Sequence, residues 1–496
     1  MMVEKILMDK ATYRKYLIYL ELLTLEGNIC TVLDLATRLN YSSRMVSNSL
    51  EQISNDLAEL GESKPYSISR NQRITIESLT VEIAIYRAFL ISKSVNFRFI
   101  QAIAFKEDSS LSQFISREYL SESTLARRLK PIIDFLHDHG IKINLKQMSF
   151  VGDEKGIRIF LLSIYCLAFK GTRWPFITVS EDRIYGIVDK LEEDAKVQLG
   201  LIDRYEMSYF VAISILRISH HCYVEDASEL DQICEGNPDY HPAIYHDFSQ
   251  WIPQQKVSAE LRFMFAASFF KPNFIEVTPR LERMIRYFKE QDNQVWGYGN
   301  EILNFLKQQF PDKEDELNNP ILIGNLLAIL LSNGIVGKGY INLFLLTDPV
   351  IKYEDNFLNS ATEEFYKRID WKKYPMFKGI RNQLKSYFIY LFSDIFEPEA
   401  LGTTIKVGIL YDPNILMYHR IHQFLKNSPY LVECCSIQKF EPEVDLIITA
   451  TYLVNDRKNN EGPIIYYWNF EKHKSNFTKL LLLLEKIEKA KNEVDF

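Results

Sequence analysis

The feature that most constrains the fold of this chain is a helix-turn-helix pattern in residues 111–130. Phe114 predicts the apolar face of a short first helix, and Leu125 and Leu129 recur one turn apart on a second helix. Ser121 has the chemistry of an N-cap for that second helix. The opposite face keeps short polar side chains and cations, which can reach base edges and phosphates of nucleic acid. The candidate contacts are Ser123, Thr124, Arg127, Arg128 and Lys130.

A β-hairpin is predicted directly after these helices. Residues 141–146 alternate between apolar and polar side chains, Gln147 and Met148 suit a turn, and residues 149–154 return. A hairpin in this position is the wing of a winged helix-turn-helix. The alternative is a polar-faced helical hairpin without a nucleic-acid partner, followed by an unrelated β-hairpin.

A second helix-turn-helix pattern, the closer match of the two, lies in residues 31–51. The small Ala36 sits where two helices must approach closely, and Val46 and Leu50 fix the second helix to a core. The side chains left to face a groove are Ser42, Ser43, Arg44, Ser47 and Asn48. A surface helix without a nucleic-acid partner would carry the same residues, but two such units in tandem weaken that alternative.

Residues 66–70 and 73–76 alternate in the same way around Asn71 and Gln72. They predict a wing for this unit, with Arg70 and Arg73 near its tip. Cations at the tip of a wing can contact a phosphate backbone.

The apolar pattern of the remaining residues predicts a multidomain, mainly α protein. After residue 157 the apolar pattern is almost wholly helical, and after a Pro- and Gly-bearing linker at 396–402 short strands alternate with helices. That alternation predicts a small α/β domain with a largely parallel sheet. The predicted domains are two winged helix-turn-helix units at 1–80 and 81–164, two all-α bundles at 165–280 and 281–398, and the α/β domain at 399–496.

The charge distribution places any nucleic-acid contact near the N-terminus. Residues 1–152 carry 19 Lys and Arg against 17 Asp and Glu, a net charge of +2, although the whole chain carries −7. The rest of the chain is therefore acidic and repels phosphate.

Composition and motifs exclude several classes. The six cysteines show no CxxC spacing, which fits a reducing compartment and argues against a structural zinc site. No secretory signal is present, and apolar stretches such as 321–331 are too short to span a bilayer, so a cytoplasmic protein without a membrane partner is expected. No phosphate-binding loop, catalytic serine motif or dinucleotide fingerprint is found, so neither enzymatic activity nor a cofactor is predicted.

The order of these parts resembles the Mga/AtxA family of virulence and global transcription regulators of Gram-positive bacteria. Residues 31–50, 121–129 and 150–158 carry the resemblance, together with the architecture of the whole chain. It implies that the two helical bundles are regulation domains of the phosphotransferase system (PTS), in which the phosphocarrier HPr phosphorylates histidine. It also implies an enzyme IIB-like end domain that forms a homodimer, and a regulator, an activator by resemblance, that binds double-stranded DNA.

The chain departs from the family pattern in two places. An active enzyme IIB carries phosphate on a cysteine just after its first strand, where residues 411–413 read Tyr-Asp-Pro, so this module is interpreted as non-catalytic. Cys434 and Cys435 are interpreted as core residues. The second departure is that the second bundle lacks an acceptor for phosphohistidine, because no histidine occurs between His246 and His419.

The candidate phosphorylation sites are therefore confined to the first bundle: His220, His221, His241 and His246. His220 and His221 close the predicted helix at 206–221, where a phosphate would change the local charge. Two polar residues that simply close a helix are an equally good interpretation.

Three functional classes remain. A DNA-binding regulator accounts for both helix-turn-helix patterns. An RNA-binding antiterminator with PTS regulation domains would begin with a small RNA-binding β-domain, and a phosphotransferase component would need the missing cysteine. The sequence favours the DNA-binding regulator.

Overall fold

The computed structural model of the chain describes most of its residues. These are residues 3–24, 30–63, 65–76, 79–195, 199–225, 228–242, 246–340, 357–393, 395, 404–410, 415–428, 430–438, 443–451, 463–468 and 473–494.

The first winged unit combines helices with a small antiparallel sheet. Its elements are α1 (Val3–Leu7), α2 (Lys10–Leu23), β1 (Cys30–Thr31), α3 (Val32–Leu39), α4 (Ser43–Glu59), β2 (Tyr66–Ile68) and β3 (Arg73–Ile76). The strand order is β1-β3-β2. Thr31 and Asp34 form a capping box that starts α3, and Asp9 accepts two backbone N–H groups at the start of α2. These caps fix the residues at which α2 and α3 begin.

The second winged unit repeats this plan with a two-stranded hairpin. Its elements are α5 (Ile83–Lys93), α6 (Val95–Phe105), α7 (Leu111–Arg117), α8 (Glu122–Asp138), β4 (Lys142–Asn144) and β5 (Ser149–Val151). Ile143 pairs with Phe150 across the antiparallel hairpin, and Met148 closes the turn with φ of 45°. Both predicted wings are present. Pro131 lies on the exposed side of α8, which continues past it to Asp138.

The two winged units pack against each other rather than standing apart. Helix α1 packs on α6 and α8 of the second unit, where Asn96 Nδ2 donates to the Ile6 carbonyl at 2.9 Å. Arg87 Nε donates to Glu4 Oε1 at 2.6 Å, and the Tyr86 hydroxyl donates to Asp56 at 2.9 Å. The predicted boundary at residue 80 therefore separates the units in sequence but not in packing.

Helices form the middle of the chain. The first group is α9 (Glu154–Phe169), α10 (Glu181–Ala195), α11 (Leu201–Ser219), α12 (Ser228–Cys234), α13 (His246–Ser249) and α14 (Val257–Ala267). The second group is α15 (Pro279–Gln291), α16 (Gln294–Gln309), α17 (Glu314–Leu317), α18 (Pro320–Val336), α19 (Phe357–Arg368), α20 (Pro375–Lys378) and α21 (Arg381–Ser393). Helix α20 ends at Lys378 and α21 begins at Arg381, so residues 375–393 form two helices and not one.

Helix α18 is the apolar centre of the second group. Within the described residues, the segment Pro320–Gly339 is long and apolar enough to cross a bilayer, with a mean hydropathy of 1.8. The prediction that the apolar stretches are too short to span a bilayer is therefore wrong for this segment, which extends beyond 321–331 at both ends. Of this segment 67% is buried inside the structure, and α18 packs against α15, α16 and α21. Its apolar character is that of a core helix.

The C-terminal region forms a small parallel α/β layer. Its elements are β6 (Thr404–Leu410), α22 (Ile415–Lys426), β7 (Leu431–Ser436), β8 (Leu446–Thr449), β9 (Ile464–Tyr467) and α23 (His473–Val494). The strand order is β7-β6-β8-β9 and all described pairings are parallel, as predicted. This layer rests on the helical part of the chain, since α22 packs on α21 and Ile202 of α11 joins a small core with Leu410 and Ile437.

Candidate nucleic-acid interface

The first recognition helix is α4. The Ser42 hydroxyl caps it by accepting the Met45 N–H at 3.3 Å, and Val46 and Leu50 are fully buried. This anchoring fixes the rotation of the helix. Ser42, Arg44 and Asn48 are exposed as predicted, whereas Ser43 and Ser47 are half-buried at the edges of the exposed face.

The wing of the first unit presents its two cations to solvent. Gln72, with φ of 60°, closes the turn between β2 and β3, and its N–H donates to the Ser69 carbonyl at 2.9 Å. Arg70 and Arg73 flank this turn and are both exposed. The two predicted wing residues therefore lie at the tip, where a phosphate backbone could meet them.

The second recognition helix is α8. Ser121 caps it by accepting the Thr124 N–H at 3.3 Å. Ser123 and Arg127 are exposed, while Thr124 is half-buried and its hydroxyl accepts from Ser121 at 2.8 Å. Lys130 is exposed and forms an i,i+4 ion pair with Asp134 at 3.2 Å.

A constant offset of 79 residues, from Ser42 to Ser121, relates the two helix-turn-helix units. In each turn a residue with positive φ, Asn40 or Tyr119, precedes the N-cap serine by two positions. The next N–H bonds back to a carbonyl five residues earlier, from Tyr41 to Ala36 and from Leu120 to Ile115. The offset pairs the exposed faces residue by residue: Arg44 with Ser123, Asn48 with Arg127, and Glu51 with Lys130.

Arg128 departs from the predicted outward set. Its guanidinium lies 3.4 Å from Asp9, the residue that caps α2 of the first unit, and 31% of its side chain is exposed. The physical reason is helical phase, because neighbouring residues point about 100° apart and Arg127 already occupies the outward direction. Arg128 therefore joins the two winged units, and Arg127 is the cation that faces solvent.

Two further surface features were missed by the sequence analysis. Tyr119 stands in the turn between α7 and α8 with 95% of its surface exposed. Lys142 and Lys146 are exposed on the second hairpin. The lysines were visible in the alternating pattern, but only the positive φ at Tyr119 directs that ring away from the core, which a sequence pattern does not reveal.

The candidate histidines lie in different surroundings. His220 is half-buried after α11, and burial, followed by the charges of Lys106, Arg217 and His221, lowers the pKa of its imidazole. His221 is exposed with φ of 61°, and its Nδ1 lies 3.0 Å from the Tyr223 hydroxyl.

The other two histidines lie farther along the chain. His241 is exposed in a loop. His246 begins α13, and its side chain lies outside the described part of the structure.

A buried ionic network lies beside His220. Arg158, with 1% of its side chain exposed, donates to Glu260 through Nη1 at 2.6 Å and Nη2 at 2.8 Å, and to Glu154 through Nε at 3.1 Å. Arg217 donates to both oxygens of Glu154, at 2.9 and 2.7 Å.

The same two arginines hold backbone groups on either side of this network. Arg217 donates to the Ala104 carbonyl of α6 at 2.9 Å, and Arg158 donates to the Cys222 carbonyl at 3.0 Å. The network thus connects the second winged unit to α11, α14 and the turn that carries His220 and His221.

The C-terminal cysteines lie on strand β7. Cys434 and Cys435 pack against the cores on either side of β7, as predicted, and residues 411–413 lie outside the described residues. In the part of the chain that is described, no group of three or more His, Cys, Asp or Glu side chains is placed to hold a metal ion.

The arrangement is that of two winged helix-turn-helix units in tandem, and the second unit has a counterpart among known protein families. Residues 79–165 match the Mga helix-turn-helix domain. The capsule synthesis positive regulators AcpB and AcpA of Bacillus anthracis are 23% and 25% identical over 224 and 219 residues. These matches cover 44% and 42% of this chain, and 46% and 43% of the relatives.

A third relative is the anthrax toxin expression trans-acting positive regulator of the same organism. It is 22% identical over 151 residues, which is 30% of this chain and 31% of that protein. The matched part of this chain thus spans less than half the length of each of these relatives. The resemblance to the Mga/AtxA family that the sequence predicts is confirmed by the Mga helix-turn-helix match and by these three relatives, each of which is named as a positive regulator.

Proposed function

We propose that this protein is a DNA-binding transcription regulator that activates its target genes. The observation that carries the proposal is the pair of recognition helices, related by one sequence offset, with Arg44 and Asn48 on one exposed face and Ser123 and Arg127 on the other. Short polar side chains can read base edges, and the arginines and the wing cations can hold phosphates. The family match and the positive regulators among its relatives support the same function.

The test is DNA binding by the full chain, measured by fluorescence anisotropy over a salt series. Arg127→Ala removes an exposed cation, so we expect weaker binding at every sequence and a salt slope reduced by about one. Lys378→Ala removes an exposed cation on α20, far along the chain from the recognition helices, and serves as the matched control. Equal affinity and slope for Arg127→Ala and wild type would refute the role of α8.

We propose the five-part division that the sequence predicts, with two winged units, two PTS regulation domains and an enzyme IIB-like domain. The boundary predicted after residue 164 moves to the start of α9, because that helix runs without a break from Glu154 to Phe169. The supporting observations are the helical groups α9–α14 and α15–α21 and the parallel sheet after residue 403. We propose that this last domain forms the homodimer. Removing residues 404–496 should then leave a monomer in light scattering, whereas a truncated chain that still has the mass of a dimer places the interface elsewhere.

We further propose that HPr phosphorylates the first helical group at His220 or His221. The lowered pKa keeps the His220 imidazole neutral, which is the nucleophilic form, and Lys106 and Arg217 supply positive charge for the product. Lys106 Nζ already donates to the His220 carbonyl at 2.9 Å. Phosphate on this ring would thus alter a contact with the second winged unit.

This proposal is tested with purified HPr, enzyme I and labelled phosphoenolpyruvate. The acid-labile label should be lost in the double variant His220→Ala/His221→Ala and kept in His241→Ala. Label on His419, His422 or His473, or no label at all, would defeat it.

A further inference from the structure

A cavity of about 400 Å³ lies where several parts of the chain meet. Its walls come from α9, α11, the segment that joins α14 to α15, and the first turns of α15. Gln438, which follows β7, closes one side. Cavities of roughly 300–1,000 Å³ are those that bind small molecules, and this one is near the lower limit.

One part of the lining is acidic. Asp203 and Glu206, both on α11, share the ammonium group of Lys271, which bonds to Glu206 and lies 3.7 Å from Asp203. Two carboxylates with one cation leave a net negative charge there. Glu206 is nine-tenths or more buried, and within the described structure its Oε1 has no hydrogen-bond partner. A buried acceptor without a partner is costly, and a ligand that donates to it would remove that cost.

Another part of the lining is cationic. Arg280 and Arg283 lie in the first two turns of α15, where the helix dipole also favours an anion. Arg280 donates to the Ser268 hydroxyl at 3.1 Å, and Arg283 donates to Asp239 at 2.8 Å with 42% of its side chain exposed. These guanidinium groups can also donate hydrogen bonds to a ligand carboxylate.

Apolar side chains complete the lining. Leu162 of α9, Phe210 of α11, and Phe270 and Phe274 before α15 all line the cavity. A ligand that satisfies the whole surface therefore carries a donor group with positive charge, an anionic group and a small apolar part.

We propose that this cavity binds a free α-amino acid. Its ammonium group donates to Glu206 and Asp203, its carboxylate pairs with the arginines at the start of α15, and its side chain packs on the aromatic rings. A neutral sugar would leave the net negative charge of the acidic part uncompensated. A sugar phosphate would meet the arginines but bring further negative charge to the carboxylates.

Occupancy would reach the winged units through α9. Leu162 and Ser163 line the cavity, and Arg158, one turn earlier on the same helix, is the centre of the buried ionic network. A bound amino acid would thus contact α9, the helix that also contacts the second winged unit. The binding itself does not depend on the proposed DNA function.

The test is isothermal titration calorimetry of the full chain with each of the twenty protein L-amino acids, D-glucose and glucose 6-phosphate. For the tightest amino acid, the deaminated acid and the decarboxylated amine of the same side chain are then titrated. We expect saturable binding by at least one amino acid, and binding about ten- to a hundredfold weaker for both counterparts, because each lacks one charged hydrogen-bonding group.

Variants place the binding in this cavity. Leu162→Trp fills the space and should abolish binding, and Asp203→Asn, on a partly exposed side chain, should weaken it about tenfold or more while the protein stays folded. Asp189→Asn neutralises an exposed acid on α10 outside the cavity and should bind as wild type does. The proposal is overturned if no amino acid binds at millimolar concentration, if a sugar or a counterpart binds equally well, or if Leu162→Trp and Asp203→Asn both leave binding unchanged.

Discussion

The buried network around Arg158 makes a sharp stability prediction for the substitution Arg158→Met. Methionine keeps a long apolar side chain but removes the charge and every donor. Glu260, whose side chain is fully buried, then keeps only the Val224 N–H at 2.8 Å, and its Oε2 loses its partner. Breaking a buried ion pair on one side costs about 3–5 kcal/mol, because it leaves a buried charge uncompensated.

Arg283→Met is the matched control for this substitution. Arg283 also pairs with a carboxylate, but it is 42% exposed, so water can replace the lost contact and the expected cost is below about 1 kcal/mol. The double variant Arg158→Met/Glu260→Met removes both charges and should recover much of the loss, since Glu154 keeps Arg217.

The assay is thermal unfolding of the full chain, with hydrogen exchange followed on peptides of α9, α11 and α14. A multidomain chain does not unfold in two states, so the comparison is between variants at the same transition. We expect Arg158→Met to lower its Tm by roughly 6–20 °C, and Arg283→Met by less than about 4 °C. Equal shifts for the two variants, or a double variant as unstable as Arg158→Met alone, would refute the reasoning.

Three further predictions concern packing, the turn and pH. Gly339→Ala puts a Cβ 3.0 Å from the Gly156 Cα, so it should lower the free energy of unfolding by about 1–3 kcal/mol in a thermal melt. Gly186 lies inside α10 with open space around it, so Gly186→Ala should raise the free energy of unfolding by about 0.5–1 kcal/mol. The exposed hydroxyl of Tyr119 is placed to contact a DNA phosphate, so Tyr119→Phe should leave Tm unchanged and weaken DNA binding measured by anisotropy. Equal affinity of the variant and wild type would refute this contact. Burial opposes ionisation of Glu154, but hydrogen bonds and charges of Arg217 and Arg158 outweigh it and lower its pKa below 4.5. Its stabilisation is therefore fully present above the unfolded-state pKa and is lost as pH falls through the lower folded-state pKa. Arg158→Met removes one of the two cations that lower this pKa, so acid unfolding followed by circular dichroism should begin at higher pH in the variant than in wild type.

Features that depend on nearby residues were predictable from the sequence. The serines at 42 and 121 cap their helices because an N-cap needs only a hydroxyl and the N–H three residues later, so a short pattern contains the whole interaction. The parallel sheet after residue 402 was also predictable, because a compact apolar run such as residues 404–410 suits a buried parallel strand.

Features that depend on distant residues were not predictable in this way. Arg128 was assigned to the outward face by its charge, and only the phase of α8 and the position of Asp9 direct it inward. Glu154, Arg158, Arg217 and Glu260 come from three helices, and nothing local marks them as partners. The same is true of the cavity, whose acidic and cationic residues lie on helices that tertiary packing alone brings together.

The turn after α11 receives hydrogen bonds from both α6 and α9. These bonds determine how a charge added to the turn could affect the winged units. Lys106, at the end of α6, donates to the His220 carbonyl, and Arg158 of α9 donates to the Cys222 carbonyl. Arg217, on the last turn of α11, bonds to Ala104 of α6. Moving the turn without moving α6 would break hydrogen bonds made by buried arginines, and breaking such bonds costs more free energy than breaking exposed ones. Added charge at His220 is therefore expected to shift α6 and the turn together, whereas the exposed ring of His221 can change its charge without breaking any of these bonds.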